Sequence, residues 1–186
     1  LINVGASTTA WPATLGLTIT GGSGTGALAY SISSAGTAGC SVGASSGIVT
    51  PTTAGTCDIA ITRAADTNYN ISSTLPPTVT FAQASQSALT TTAQTVTYPA
   101  AFSNAATTGG SGTGAVTYAL TSAGTAGCSV TSGGVISYAN AGTCTITATK
   151  AADTNYTSVS SAAQTFTVSK ASQSSLINVG ASTTAW

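Results

Sequence analysis

The chain repeats itself, and the spacing of the copies limits what it can fold into. Gly21-Gly22-Ser23-Gly24-Thr25-Gly26-Ala27 returns as Gly109 to Ala115, 88 residues on. Ala35 to Val42 returns as Ala123 to Val130, and Ala54-Gly55-Thr56-Cys57 as Ala141 to Cys144. Ala64 to Tyr69 returns as Ala151 to Tyr156, 87 residues on, and Ala84-Ser85-Gln86-Ser87 as Ala171 to Ser174. A second level lies above these matches. Leu1 to Trp11 comes back unchanged as Leu176 to Trp186, 175 residues later. Two diverged repeats, A over 1–87 and B over 88–175, therefore make one larger unit. Residues 176–186 are then the opening strand of another A repeat. An identical return after a diverged intermediate points to recent duplication of an AB pair; the alternative is a copy of the end segment alone.

Within each repeat the apolar residues come in short alternating runs separated by Gly- and Ser-rich turns, and no useful helical period is present. The strand signals in A are Leu15–Ile19, Ala27–Ile32, Gly47–Val49, Cys57–Ile61 and Thr78–Phe81. In B, Thr143 to Thr149 sets Cys144, Ile146 and Ala148 on one face and four threonines on the other, as expected of a strand with one buried side. About seven strands in each repeat suit a β-sandwich. The expected class is all-β, with two tandem immunoglobulin-like sandwiches.

Gly134 to Ala148 resembles the last-strands signature of bacterial immunoglobulin-like domains. Lys150-Ala151-Ala152-Asp153-Thr154-Asn155-Tyr156 is similar to a loop of very large, repetitive bacterial surface proteins. The resemblance covers both repeats. It implies a stalk or fibre that spaces a functional tip from the cell.

Composition removes several function classes. Only 3% of the residues are charged, three Lys or Arg against three acidic residues, and the net charge is zero. No basic patch exists to hold nucleic acid or an anionic membrane. There is no His and no Glu, so the many serines lack a base to activate them. The only acids are Asp58, Asp66 and Asp153, and Thr145 stands in B where Asp58 stands in A. No enzyme, cofactor or metal site is expected. Calcium takes six to eight oxygen ligands, usually several of them carboxylates, and one Asp per loop is too few. The Asp-Thr-Asn-Tyr loop is instead expected to be a turn whose Asp and Asn bond local backbone and whose Tyr packs on the end of the sandwich. The Gly-rich loop lacks the Lys of a phosphate loop.

Four cysteines recur in pairs, without His and without a C-x-x-C motif, which favours disulfides and an oxidising, extracellular setting. Cys40 shares a strand face with Val42, and Cys57 with Ile59 and Ile61, so both point at the core of their own repeat. Cys128 and Cys144 repeat the pattern. The expected bridges are Cys40–Cys57 and Cys128–Cys144; a bridge between repeats would need outward thiols. Loops of that size stabilise by roughly 3 kcal/mol in the chain-entropy picture. Leu1 to Trp11 lacks the basic start and long apolar core of a secretion leader, and no run is long enough to span a membrane. A segment of a longer secreted precursor is the expectation.

The expected function is a structural repeat of an extracellular filament or adhesin stalk. Its partners would be other copies of the same repeat, joined head to tail. Leu1, Ile2, Val4 and Trp11, with their copies Leu176, Ile177, Val179 and Trp186, are the candidate inter-repeat strand. Trp11 aligns with Tyr98, each just before a proline, as expected of a strand or inter-repeat packing site. The alternative is a glycan- or surface-binding module using exposed aromatics, with Tyr30, Tyr69, Tyr118, Tyr138 and Tyr156 as further candidates.

Overall fold

The computed structural model describes residues 2–4 (as backbone), 7–177 and 180. Leu1, Val179 and Trp186 of the candidate inter-repeat strand lie outside the described residues. Among the described residues there are nineteen strands and no helix. The chain divides into two compact units, one of residues 1–89, 109–116 and 149–160, the other of 90–108, 117–148 and 161–186.

Ten strands come first in the chain: β1 (Ile2–Val4), β2 (Thr8–Ala10), β3 (Leu15–Gly16), β4 (Ile19–Gly21), β5 (Leu28–Ser34), β6 (Ser41–Val42), β7 (Ile48–Thr50), β8 (Gly55–Arg63), β9 (Ser72–Ser73) and β10 (Thr78–Ala82). One sheet runs β2-β10-β8-β5, with β9 also on β8; a second runs β3-β7-β6; β1 and β4 pair separately. Strand β8 is central. Cys57, Ile59 and Ile61 project from one of its faces and are fully buried. Val79 and Phe81 of β10 join them, and Val49 of β7 and Leu17 close the core from the other sheet. That is an immunoglobulin-like β-sandwich: two sheets, each with one apolar face, covering one another's.

Two of the expected strands are divided. Residues 1–11 were expected to form a single first strand, but β1 pairs antiparallel with β4 while β2 pairs parallel with β10. Leu15–Ile19 likewise splits into β3, on β7, and β4, on β1. Leu15, Leu17 and Ile19 still alternate inward along this stretch. Alternation reports which side faces the core; it does not report which neighbour takes the backbone hydrogen bonds.

Nine more strands follow: β11 (Leu89–Thr91), β12 (Thr95–Thr97), β13 (Thr107–Gly109), β14 (Val116–Ser122), β15 (Ser129–Val130), β16 (Ile136–Ser137), β17 (Gly142–Lys150), β18 (Val159–Ser160) and β19 (Gln164–Ser169). The order β12-β19-β17-β14 repeats that of the first main sheet, again with a parallel edge pair, β12 on β19. Here Cys144, Ile146 and Ala148 are the buried face of the central strand. Phe102 meets Phe166 edge-to-face at 5.7 Å and Tyr138 at 5.6 Å, and Tyr138 in turn meets Tyr98 at 6.3 Å. This aromatic chain carries the second core out to the surface at Tyr98, which is 46% exposed.

Each core is tied once. Cys40 is bonded to Cys57 with Cα atoms 6.2 Å apart, and Cys128 to Cys144 at 6.1 Å. Both bridges join a central strand to a residue 17 or 16 positions earlier.

The central strands dominate the packing, so truncation there is costly. Ile59→Ala and Ile146→Ala should each lower stability by about 2–5 kcal/mol in denaturant titrations, whereas Thr143→Ala, on an exposed side chain, should change it by less than about 0.5 kcal/mol. Equal effects at Ile146 and Thr143 would mean that β17 is not a core strand.

Candidate functional site

One polar constellation with a charged side chain is present twice among the described residues: the Asp-Thr-Asn-Tyr loop with the Gly-rich loop beside it. Asp66 follows the end of β8. Its Oδ1 accepts from the N–H groups of Asn68 (2.8 Å) and Tyr69 (2.9 Å), closing a turn on itself. Its Oδ2 accepts from the Thr25 N–H at 2.6 Å and the Thr25 hydroxyl at 3.2 Å. Asp153 repeats every bond. Oδ1 takes the N–H groups of Asn155 and Tyr156, both at 2.9 Å, and Oδ2 takes the N–H and hydroxyl of Thr113. One carboxylate thus satisfies four donors and ties two loops together.

The glycines make this approach possible. A Cβ on Gly24 would sit 2.7 Å from the Asp66 carboxylate, and one on Gly26 would run into the Ala64 carbonyl. Gly112 and Gly114 meet Asp153 and Ala151 in the same way. The Gly-rich segment is therefore a cover for the carboxylate. It presents its N–H at Thr25 or Thr113 to an oxygen already within the protein.

Both carboxyls are held below their ordinary pKa. The largest cause is the Thr25 N–H for Asp66 and the Thr113 N–H for Asp153, followed by the turn N–H groups of Asn68 and Asn155. Hydrogen bonds to the charged form favour it. The oxygens are engaged by N–H and O–H donors, an arrangement that supplies positive partial charge to an anion and has no use for a cation.

The two loops differ in what covers them. Asn68 and Tyr69 are exposed, whereas Asn155 and Tyr156 are half-buried. Inside the first compact unit, Asn155 Oδ1 accepts from the Ala54 N–H at 2.8 Å, and the Asn155 carbonyl accepts from the Ala84 N–H at 2.9 Å. The Thr157 N–H donates to the Ala84 carbonyl at 2.9 Å. The Gln83 side-chain amide donates to the Asp153 carbonyl. Trp11 meets the Tyr156 ring edge-to-face, with centroids 5.4 Å apart. Gln86, almost fully buried, donates to the Ala151 and Thr157 carbonyls (3.0 and 2.8 Å) and accepts from the Gly112 N–H (3.3 Å).

Of the candidate inter-repeat residues, Trp11 is therefore in this contact. The backbone of Ile2 and Val4 is in β1, while Leu176 and Ile177 are 99% and 86% exposed and in no strand. Gln83, Gln86 and the Ala54 N–H were not legible as partners. The only hint was the recurrence of Ala84-Ser85-Gln86-Ser87, which carries no chemistry that would mark it.

No family model matches the chain, and no curated protein matches it. Among solved structures, the chain is similar to Drosophila N-cadherin EC1-4 (12% identity, TM-score 0.33, covering 87% of this chain and 47% of that one). It is also similar to human protocadherin-24 EC1-2 (14%, 0.39, 93% and 98%) and to the Clostridium thermocellum CbhA fibronectin(III)-like modules (11%, 0.33, 91% and 95%). The chain spans about half the length of the N-cadherin structure. Among the described residues, no helix is long and apolar enough to cross a membrane.

The depressed carboxyls give the loop ties a definite pH dependence. A group whose pKa is lower folded than unfolded stabilises fully above its unfolded value, 3.8, and loses that contribution as pH falls through the folded value. The wild type should therefore lose more stability between about pH 5 and about pH 2 than an Asp66→Asn, Asp153→Asn double variant. Denaturant midpoints at the two pH values measure this. Parallel losses would show that the two carboxylates do not tie the loops.

Proposed function

We propose that this chain is a structural repeat unit of an extracellular bacterial filament or adhesin stalk, in which AB pairs of immunoglobulin-like repeats follow one another head to tail. The division into repeat A (1–87), repeat B (88–175) and the opening of a further A repeat (176–186) is part of this reading. One observation carries it. The loop around Asn155 and Tyr156, in repeat B, is docked by Trp11, Ala54, Gln83 and Ala84, all in repeat A, by polar and aromatic contacts within one compact unit. A repeat whose loop is received by the preceding repeat can be extended without limit, and a contact of unlike surfaces that does not close on itself generates open filaments.

Other features agree with this function. Two disulfides suit an oxidising exterior. The carboxylate of each Asp loop is taken up by its own turn N–H groups and by the N–H and hydroxyl of Thr25 or Thr113. A surface of Ser, Thr, Ala and Gly stays hydrated with few charges to be screened. The bacterial assignment rests on the resemblance of Gly134–Ala148 and Lys150–Tyr156 to bacterial immunoglobulin-like repeats.

Negative-stain microscopy of the protein in its native setting tests this. Beaded threads are expected, with each AB pair advancing the thread by roughly 60–80 Å, from the size of domains of this length. Isolated compact particles at every concentration would contradict it.

A further inference from the structure

We infer that the two exposed halves of the docking contact belong together: the Asn68–Tyr69 loop of one copy of this chain seats in a groove formed by Tyr98, Ala141, Lys170 and Ala171 of a second copy. This rests on the head-to-tail reading above and adds the residues that make the join.

The groove has a volume of about 320 Å³ and is lined by Tyr98, Ala139, Asn140, Ala141, Lys170 and Ala171. Each lining residue stands where the repeat puts a residue around the docked Asn155–Tyr156 loop. Tyr98 takes the place of Trp11, Ala141 of Ala54, Lys170 of Gln83 and Ala171 of Ala84. The local backbone agrees. Trp11 N–H bonds the Ala82 carbonyl at 2.9 Å, and Tyr98 N–H bonds the Ser169 carbonyl at 2.9 Å. Thr53 N–H bonds the Ala38 carbonyl and Asn140 N–H the Ala126 carbonyl, at 3.1 and 3.0 Å. The Ala54 N–H donates to Asn155, whereas the Ala141 N–H makes no hydrogen bond among the described residues.

The loop that would enter has the same turn as the docked one. Asp66 holds the N–H groups of Asn68 and Tyr69 as Asp153 holds those of Asn155 and Tyr156, so Asn68 and Tyr69 present the same side chains and carbonyls outward. Tyr69 is 50% exposed. Seated, the Asn68 amide oxygen accepts the Ala141 N–H, its carbonyl accepts the Ala171 N–H, and Tyr69 packs edge-on against Tyr98. Lys170 donates to the Asp66 carbonyl in place of Gln83, and its charge lies beside an Asp.

A second observation comes from the pocket beside the Asn68–Tyr69 loop. Gly22, Gly24, Arg63, Ala64, Tyr69 and Asn70 line a cleft of about 210 Å³. It corresponds to the site that Gln86 fills beside Gly110, Gly112 and Ala151. Arg63 Nε lies buried there without a hydrogen-bond partner. Gln173 is the counterpart of Gln86, and it is exposed. Brought in by the second copy, its amide donates to the carbonyls of Ala64 and Asn70, and its oxygen accepts from the Gly24 N–H and Arg63 Nε. The pocket and the unpartnered guanidinium nitrogen thus call for the group that the adjoining segment 170–173 supplies.

The test replaces Tyr98 with the photoreactive p-benzoylphenylalanine in the full chain and irradiates it at about 1 mM, the effective concentration a short tether would give. Adducts are mapped by mass spectrometry. Covalent dimers and higher oligomers are expected, with the link on the segment that contains Asn68 and Tyr69. Gln173→Ala, outside both sandwich cores, should lower the yield about tenfold, the loss of roughly one net hydrogen-bonded contact. Oligomers linked at another segment would overturn this interface and leave head-to-tail association standing. Irradiated chains that stay monomeric would overturn both. An unchanged yield for Gln173→Ala would remove the Gln pocket from the interface.

Discussion

Each core of this molecule depends on one strand. In β8 and in β17 alternate residues, Cys57, Ile59 and Ile61 or Cys144, Ile146 and Ala148, give a fully buried face in the middle of a four-strand path. The cysteine bolts that strand to a segment 16 or 17 residues earlier. Small sandwiches bury a modest fraction of their surface, so a tie that restricts the unfolded chain complements a core of this size. The loops at the ends of the strands, including the Asn155–Tyr156 loop held by Ala54 and Ala84, are positioned by this frame.

The loops are fixed by a different device, because this chain has almost no charge to spend on ion pairs. A single carboxylate accepts four hydrogen bonds and gathers two loops. It can do so only because the facing segment is Gly-rich enough to let backbone come within bonding distance. The same economy appears where the loop is docked. Asn155, Gln83 and Gln86 work through backbone N–H and carbonyl partners. Contacts of this kind carry directional information and depend little on ionic strength, because no pair of full charges is involved.

Much of this was legible from the sequence, for physical reasons that can be named. Period-two burial exposed the central strands, because Cys144, Ile146 and Ala148 must share a side. The Asp loop could be expected to close on itself, because Asp and Asn favour such turns. Strand partnership was not legible. The parallel pairing of β2 with β10, and the placing of Ile2–Val4 and Thr8–Ala10 in two different sheets, depend on where the chain crosses from one sheet to the other. Nor were the receiving groups. The Ala54 N–H is a backbone donor that any residue but proline would supply, and Gln83 and Gln86 sit in a segment whose recurrence carries no mark of its chemistry. Position in the fold gives them their role.

The central claim is that, among the described residues, the Ala54 N–H is held in a docking contact while its counterpart, the Ala141 N–H, is open to a second copy. Amide hydrogen exchange in dilute, monomeric protein distinguishes the two directly, residue by residue. The Ala54 N–H, held by Asn155, should exchange at least about tenfold more slowly than the Ala141 N–H. Asn155→Ala should bring Ala54 up to the rate of Ala141 and leave Ala141 unchanged. Equal exchange at the two amides in the unmodified chain would contradict the claim.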